Sequence, residues 1–185
     1  NAQGRKLNSL EVADIVCEIA ASVVCGGVRR SSTICLCDVD DDLMKECKQG
    51  NFHPRRFLMN ISAVYRSKPD VLKFTQEFID MAKSGSGERG IINLVAARKR
   101  ALKRRDKSKI SLVNPCAEVA LRADGQFCNL TEVVIRDTDD FDIVQDKVKT
   151  AVWLGCCQSS FTYFPNLRST WTENCEEERL LGVSL

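Results

Sequence analysis

The chain has 185 residues, 44% of them hydrophobic and 28% charged, and its 27 basic and 25 acidic side chains leave a net charge of +2. That composition excludes collagen-like, coiled-coil and disordered chains, and the near-neutral balance argues against a dedicated polyanion binder. No apolar run reaches the roughly 18 residues of a membrane-spanning helix, and the first ten residues lack the basic-then-apolar order of a signal peptide, so a cytoplasmic protein is expected, with no membrane partner. Ten cysteines without a secretory leader read as thiols, either packing or reactive, and not as a disulfide framework. The chain starts without Met in a polar stretch and stops at Gly182-Val183-Ser184-Leu185, so it reads as a fragment truncated at both ends, whose core other segments complete.

Leu10, Ala13, Ile15, Val16, Ile19, Ala20, Val23 and Val24 recur at helical spacing, which predicts a helix over 9–25 with Ser9 as N-cap and the Gly26-Gly27 pair as its stop. Thr33 to Cys37 is rich in strand formers, and the acidic cluster Asp38–Asp42 opens a short helix running to Lys48. A strand is expected over Arg56–Tyr65, and an amphipathic helix over Pro69–Lys83 with Pro69 in its first turn. A loop over Gly85–Gly90, a strand over Ile91–Leu94 and a helix over Leu94–Arg105 follow. Short β segments are expected at Ser111–Val113, Glu118–Leu121 and Phe127–Ile135, punctuated by Asn-Pro and Asp-Gly. Helical spacing returns over Phe141–Phe164 and over 166 to about 180, before a terminal strand at Gly182–Leu185. The alternation indicates an α/β fold in one unit.

Asn114-Pro115-Cys116-Ala117-Glu118 sets a thiol, a carboxylate and a carboxamide two residues apart, so an extended backbone would turn all three to one face. Cys128 follows across Asp124-Gly125, where a hairpin-like return could carry it toward Cys116. On spacing alone, a buried thiol beside a carboxylate is more often packing than catalysis.

The wording of these segments resembles the large-subunit family of ribonucleotide reductases. Residues 114–118 are similar to the finger-loop motif of that family, and Phe127-Cys128-Asn129-Leu130-Thr131-Glu132-Val133 to the strand with one of its reducing cysteines. Gly26-Gly27-Val28-Arg29-Arg30-Ser31-Ser32 resembles the loop that couples effector to substrate, and Asn60-Ile61-Ser62 a substrate-side strand. Gly87-Glu88-Arg89-Gly90-Ile91-Ile92-Asn93 resembles a Ser-Gly-Glu-Pro-Gly loop with Arg89 in place of Pro, and residues 176–185 also have a counterpart. The Asn-Pro-Cys and Phe-Cys-Asn-Leu-Thr-Glu-Val wording looks most like the adenosylcobalamin-dependent class acting on ribonucleoside triphosphates.

The resemblance implies part of a ten-stranded α/β barrel over 1–185, with a central finger loop, and thiyl-radical reduction of ribonucleotides for DNA precursor synthesis. It implies adenosylcobalamin as cofactor, a thioredoxin-like external dithiol as reductant, and a deoxyribonucleotide effector beside the ribonucleotide substrate. Cys116 would be the thiyl, Glu118 the general base at the 3′-hydroxyl, Asn114 the group that binds the ribose and positions Glu118, and Cys128 one of two reducing thiols. The second reducing thiol and the C-terminal cysteine pair would lie outside this window. Gly26, Gly27, Arg29, Arg30, Ser31, Asn60 and Ser62 would contact effector or substrate.

Cys17, Cys25, Cys35, Cys37, Cys47, Cys156, Cys157 and Cys175 read as packing or surface residues, and with His53 the one histidine no metal site is expected. The basic run from Arg98 to Lys109 reads as a solvated helix face. The competing reading is a nucleotide- or nucleic-acid-binding module, without redox chemistry, that uses Arg29, Arg30 and that basic helix.

Overall fold

Asn8 opens the first helix: its side-chain oxygen accepts the Glu11 amide at 2.8 Å, and the Glu11 carboxylate accepts the Asn8 amide at 2.9 Å. This reciprocal cap displaces Ser9 as the expected N-cap, and the helix, α1, runs Ser9–Ser22. The computed structural model describes residues 4–23 and 32–185, so the Gly26–Ser31 loop lies outside the described residues. The chain divides into two compact units, Asn1–Ala97 and Arg98–Leu185.

In the first unit β1 (Thr33–Asp38) leads to α2 (Asp42–Glu46), which is capped by Asp41. The strand expected from Arg56 begins only at Met59. Pro54 starts a 3-10 turn through Leu58, and Arg56 points back to Asp14 with contacts of 2.6 and 2.7 Å. β2 (Met59–Tyr65) is followed by α3 (Val71–Ser84), whose cap is Asp70; Pro69 precedes the helix instead of entering it. β3 (Gly90–Asn93) completes a parallel sheet in the order β1-β2-β3, with Ser62 opposite both Leu36 and Gly90.

The two faces of this sheet differ. Met59 and Ile61 pack with Cys37, Met44, Cys47, and Ala13 and Cys17 of α1, while Tyr65 meets Phe74 of α3 edge-on at 5.3 Å. The helices therefore cover the Met59–Ile61–Tyr65 face, and Asn60 and Ser62, one residue out of phase, belong to the opposite face. Burial pushes the Cys35 and Cys47 thiols up to about 11, as suits packing cysteines. Arg89, the departure from the family wording, is buried and structural. Its guanidinium donates to both oxygens of Glu77 at 2.7 and 3.0 Å and to the carbonyls of Asp38 and Val39, which ties α3 to the end of β1.

α4 (Leu94–Arg100) is shorter than expected because the chain folds back: Lys107 donates to the Lys99 carbonyl, and Arg98 to the carbonyls of Ser108 and Ile110. In the second unit β4 (Ile110–Val113) and β5 (Ala120–Arg122) form an antiparallel hairpin. β6 (Asn129–Glu132) does not return along that hairpin across Asp124-Gly125. It pairs in parallel with β7 (Leu181–Ser184), Leu130 opposite Gly182. Gly125 instead turns the chain under Trp171: its φ is +113°, and a Cβ there would lie 2.6 Å from the indole. α5 (Phe141–Ser159) and α6 (Ser169–Glu178) lie between β6 and β7 in sequence. α5 covers one face of the pair, with Gly155 against Leu181. The described residues thus form a mixed α/β fold with six helices and three small sheets.

Candidate functional site

The hairpin tip between β4 and β5 carries the candidate radical cysteine. Two bonds between Asn114 and Val119 clamp its base, and a third from Ala117 to Asn114 closes the turn. The Asn114 amide donates to the Val119 carbonyl at 3.2 Å, the Val119 amide donates to the Asn114 side-chain oxygen at 2.9 Å, and the Ala117 amide donates to the Asn114 carbonyl at 2.8 Å. Pro115 and Cys116 are therefore the central residues of a turn, and Ala117 has a left-handed backbone with φ +65°. The extended arrangement expected for residues 114–118 is not what forms. The i to i+3 bond that Asn-Pro initiates wins over strand alternation, so Asn114 is buried at the base while Cys116 and Glu118 are exposed at the tip.

Beneath the tip lies the β6–β7 pair. A Cβ on Gly182 would meet Val119 Cγ2 at 2.8 Å, Leu130 Cδ2 at 3.0 Å and Glu118 Cγ at 3.3 Å, so the tip rests on the face of the pair opposite to α5. Cys128 precedes β6 in phase with Leu130. Burial pushes the half-buried Cys128 thiol above the ordinary range, and the charges of Glu118 and of Cys116 push it further. Those two couplings bring three of the four candidate residues into one electrostatic neighbourhood, and the fourth, Asn114, closes the loop that carries two of them. The Asn114 Nδ2 group is buried with no hydrogen-bond partner among the described residues. Cys128 also borders a cavity of about 210 Å³ with Asn129, Ser159, Cys175 and Leu180; Cys116 and Glu118 are not among its walls.

A buried ionic cluster, unexpected from the sequence, anchors the hairpin. Glu178, 0% exposed, accepts from Arg105 at 2.8 Å, Arg122 at 3.1 Å and Gln126 at 2.7 Å, and Arg122 also donates to Asn174 at 2.6 Å and Glu177 at 2.9 Å. Burial works against the Glu178 carboxylate, but the Arg105 and Gln126 hydrogen bonds and the two guanidinium charges hold it below its ordinary range. Arg105 is therefore not part of a solvated face. The sequence signal was the inward phase of α6, where Asn174, Cys175 and Glu178 share a buried stripe.

Asn60 and Ser62 are placed in the first unit, on the sheet face away from its helices, with Asn60 exposed and Ser62 buried. Gly26, Gly27, Arg29, Arg30 and Ser31 lie outside the described residues. Among the described residues no cluster of three or more His, Cys, Asp or Glu side chains is disposed to hold a metal ion, and no helix is long and apolar enough to cross a membrane.

Curated relatives match the chain over most or all of its length. A protein of Lactobacillus delbrueckii subsp. bulgaricus named adenosylcobalamin-dependent ribonucleoside-triphosphate reductase is 32% identical over 100% of the chain and 25% of its own length. Proteins of the same name from Lactobacillus leichmannii (31% identical, 100% of the chain, 25% of the relative) and Levilactobacillus brevis (33%, 72% and 18%) are similar. The chain thus spans about a fifth to a quarter of the length of these relatives. No family model and no solved structure matches it.

Proposed function

The chain belongs to the ribonucleotide reductase family, with its similarity in the adenosylcobalamin-dependent branch, and from that premise we propose that the protein carrying it reduces ribonucleoside triphosphates by a thiyl-radical mechanism. The observation that carries this reading is the hairpin tip: an exposed Cys116 two residues from Glu118, on a turn that rests against the β6–β7 pair which Cys128 immediately precedes. Each unit, by itself, is read as α/β material of the family's barrel. In each, helices cover one face of the strands, leaving Asn60 and Ser62 on the other face of the first unit and the finger hairpin on the other face of the second.

Cys116 would remove the ribose 3′-hydrogen as a thiyl radical. Glu118 would accept the 3′-hydroxyl proton, and the unpartnered Asn114 Nδ2 would donate to the ribose. Loss of the 2′-hydroxyl as water then requires two electrons and protons, which Cys128 and a second thiol outside this chain would supply as they close a disulfide. The external thioredoxin-like dithiol would reopen that disulfide between turnovers. Adenosylcobalamin, when bound, supplies the hydrogen-atom chemistry that an unaided thiol lacks. The residues present fit it in one respect: the thiol it must reach is exposed at a turn and is not buried in a core.

A deoxyribonucleotide effector at Gly26–Ser31, a role in DNA precursor supply and a cytoplasmic location belong to the same reading. The competing nucleic-acid module gains no support, because Arg98 and Arg105 are engaged internally with Ile110 and Glu178. The test is direct: the full-length protein, given a ribonucleoside triphosphate, adenosylcobalamin and a dithiol, should form the 2′-deoxynucleotide. No product under those conditions, from folded protein, would refute the reading.

A further inference from the structure

Gly182 sits in the middle of a strand, where a glycine forfeits side-chain packing and is explained only by a bulge or by a close approach of other groups. It makes regular parallel pairs with Leu130 and is not among the positive-φ glycines, so its backbone does not require it. What requires it is space. Ordinary contact between carbon atoms begins near about 3.5 Å, and a Cβ at 182 would be 2.8 Å from Val119 Cγ2 and 3.0 Å from Leu130 Cδ2.

Neither side can easily yield. Val119 is a stiff β-branched residue clamped to Asn114 by two hydrogen bonds. Behind Gly182, the alternate strand residue Leu181 already touches Gly155 of α5, with its Cβ 3.4 Å from the place a Gly155 Cβ would occupy. Just upstream, Glu178 is locked to Arg122 of the hairpin itself. The segment 178–182 is thus attached to the hairpin at two points, once by charge at β5 and once by contact at the tip.

We propose that Gly182 is a positioning residue of the radical site: its missing side chain is the seat on which Glu118 and Val119 rest, and that seat sets the distance from the Cys116 turn to Cys128. The inference rests on the thiyl-radical reading. A methyl group at 182 lifts the tip by a fraction of an ångström to about 1 Å, a displacement that can cost on the order of a hundredfold in rate when reacting groups must be aligned. It also carries Glu118 away from Cys128.

The test uses the full-length protein with Gly182→Ala, alone and combined with Val119→Ala, which removes the methyl group that the new Cβ would strike. Two quantities are measured: turnover with adenosylcobalamin and dithiol, and the pH midpoint of Cys128 alkylation without cofactor. Gly182→Ala should lose about a hundredfold in turnover and lower the alkylation midpoint, and the double variant should recover both. Wild-type turnover and an unshifted midpoint in Gly182→Ala would overturn the proposal. So would a double variant that remains as impaired as the single one. If Gly182→Ala does not fold, the double variant should fold and turn over; its failure to do so also refutes the seat. A wild-type protein without reductase activity would refute the radical reading instead, while the alkylation measurement still decides the role of Gly182.

Discussion

Asn114 and Val119 are joined side chain to backbone at 2.9 Å, and this bond gives one buried carboxamide two separable tasks. Its oxygen closes the loop, while its Nδ2 group has no partner among the described residues and is available to a ligand. Asn114→Asp preserves the acceptor and removes the donor; Asn114→Ala removes both. In the full-length protein Asn114→Asp should keep amide exchange at Val119 slow while weakening substrate binding. Asn114→Ala should additionally speed exchange at Val119 and at Ala117. Identical behaviour of the two variants would show that the loop does not depend on this acceptor.

The Arg122–Glu178 pair makes a stability prediction. Arg122→Met takes from the buried Glu178 one of its two guanidinium partners and leaves it the Arg105 and Gln126 bonds, so it should destabilise the second unit by about 1.5–3 kcal/mol, the worth of a hydrogen bond to a charged group, read as faster amide exchange in β5 and α6. The pH dependence follows from the depressed Glu178 carboxyl. Its folded pKa lies below the unfolded value of roughly 4.3, so its contribution is complete above that pH and is lost as pH falls through the folded value. Exchange in α6 should therefore quicken in acid, and Glu178→Gln should flatten that dependence.

Much of the local structure could be read directly. α1, α3 and α5 follow their apolar period to within a few residues, and β1 and β7 follow their β-branched and apolar runs. The site was legible as a word and not as a shape. Asn114, Cys116, Glu118 and Cys128 stand out in sequence, yet the turn at 114–117 depends on a carbonyl-to-amide bond that competes with strand alternation. What stayed hidden is long-range. Glu178 looks like one more member of an acidic run, and Arg105 like one more of a basic run, until the fold brings 73 residues of separation down to 2.8 Å. Gly182 gives no hint of its neighbours, because a glycine carries no pattern.

Arg89 should prove indispensable for the first unit although it replaces an uncharged residue of the family wording. It neutralises Glu77 inside the protein and satisfies two carbonyls of the β1 end. Arg89→Ala leaves Glu77 buried and unpaired, and should cost about 3–5 kcal/mol. Adding Glu77→Leu should recover a substantial part. A double variant no more stable than Arg89→Ala would contradict this account, as measured by denaturant unfolding.

Cys128 should react late in a pH titration. Burial first, and the Glu118 charge second, raise its thiol above the ordinary value of about 8.5. Its alkylation rate should therefore climb at higher pH than that of a free peptide thiol. Glu118→Gln should bring the midpoint only part of the way back, since burial remains. A midpoint at or below that of the free thiol would place Cys128 outside the influence of the finger loop.

The two site cysteines are assigned to different moments of one reaction, so the fate of the substrate in two variants separates them. Cys116→Ser should leave the substrate untouched, because a serine O–H is too strong a bond to give up its hydrogen in place of the thiol. Cys128→Ser should still permit 3′-hydrogen abstraction, but the substrate radical would lack its reductant and shed its base. The decisive measurement is release of free nucleobase from a ribonucleoside triphosphate by the full-length protein with adenosylcobalamin and dithiol. The account predicts base release from Cys128→Ser and none from Cys116→Ser. Base release or deoxynucleotide from Cys116→Ser would contradict it.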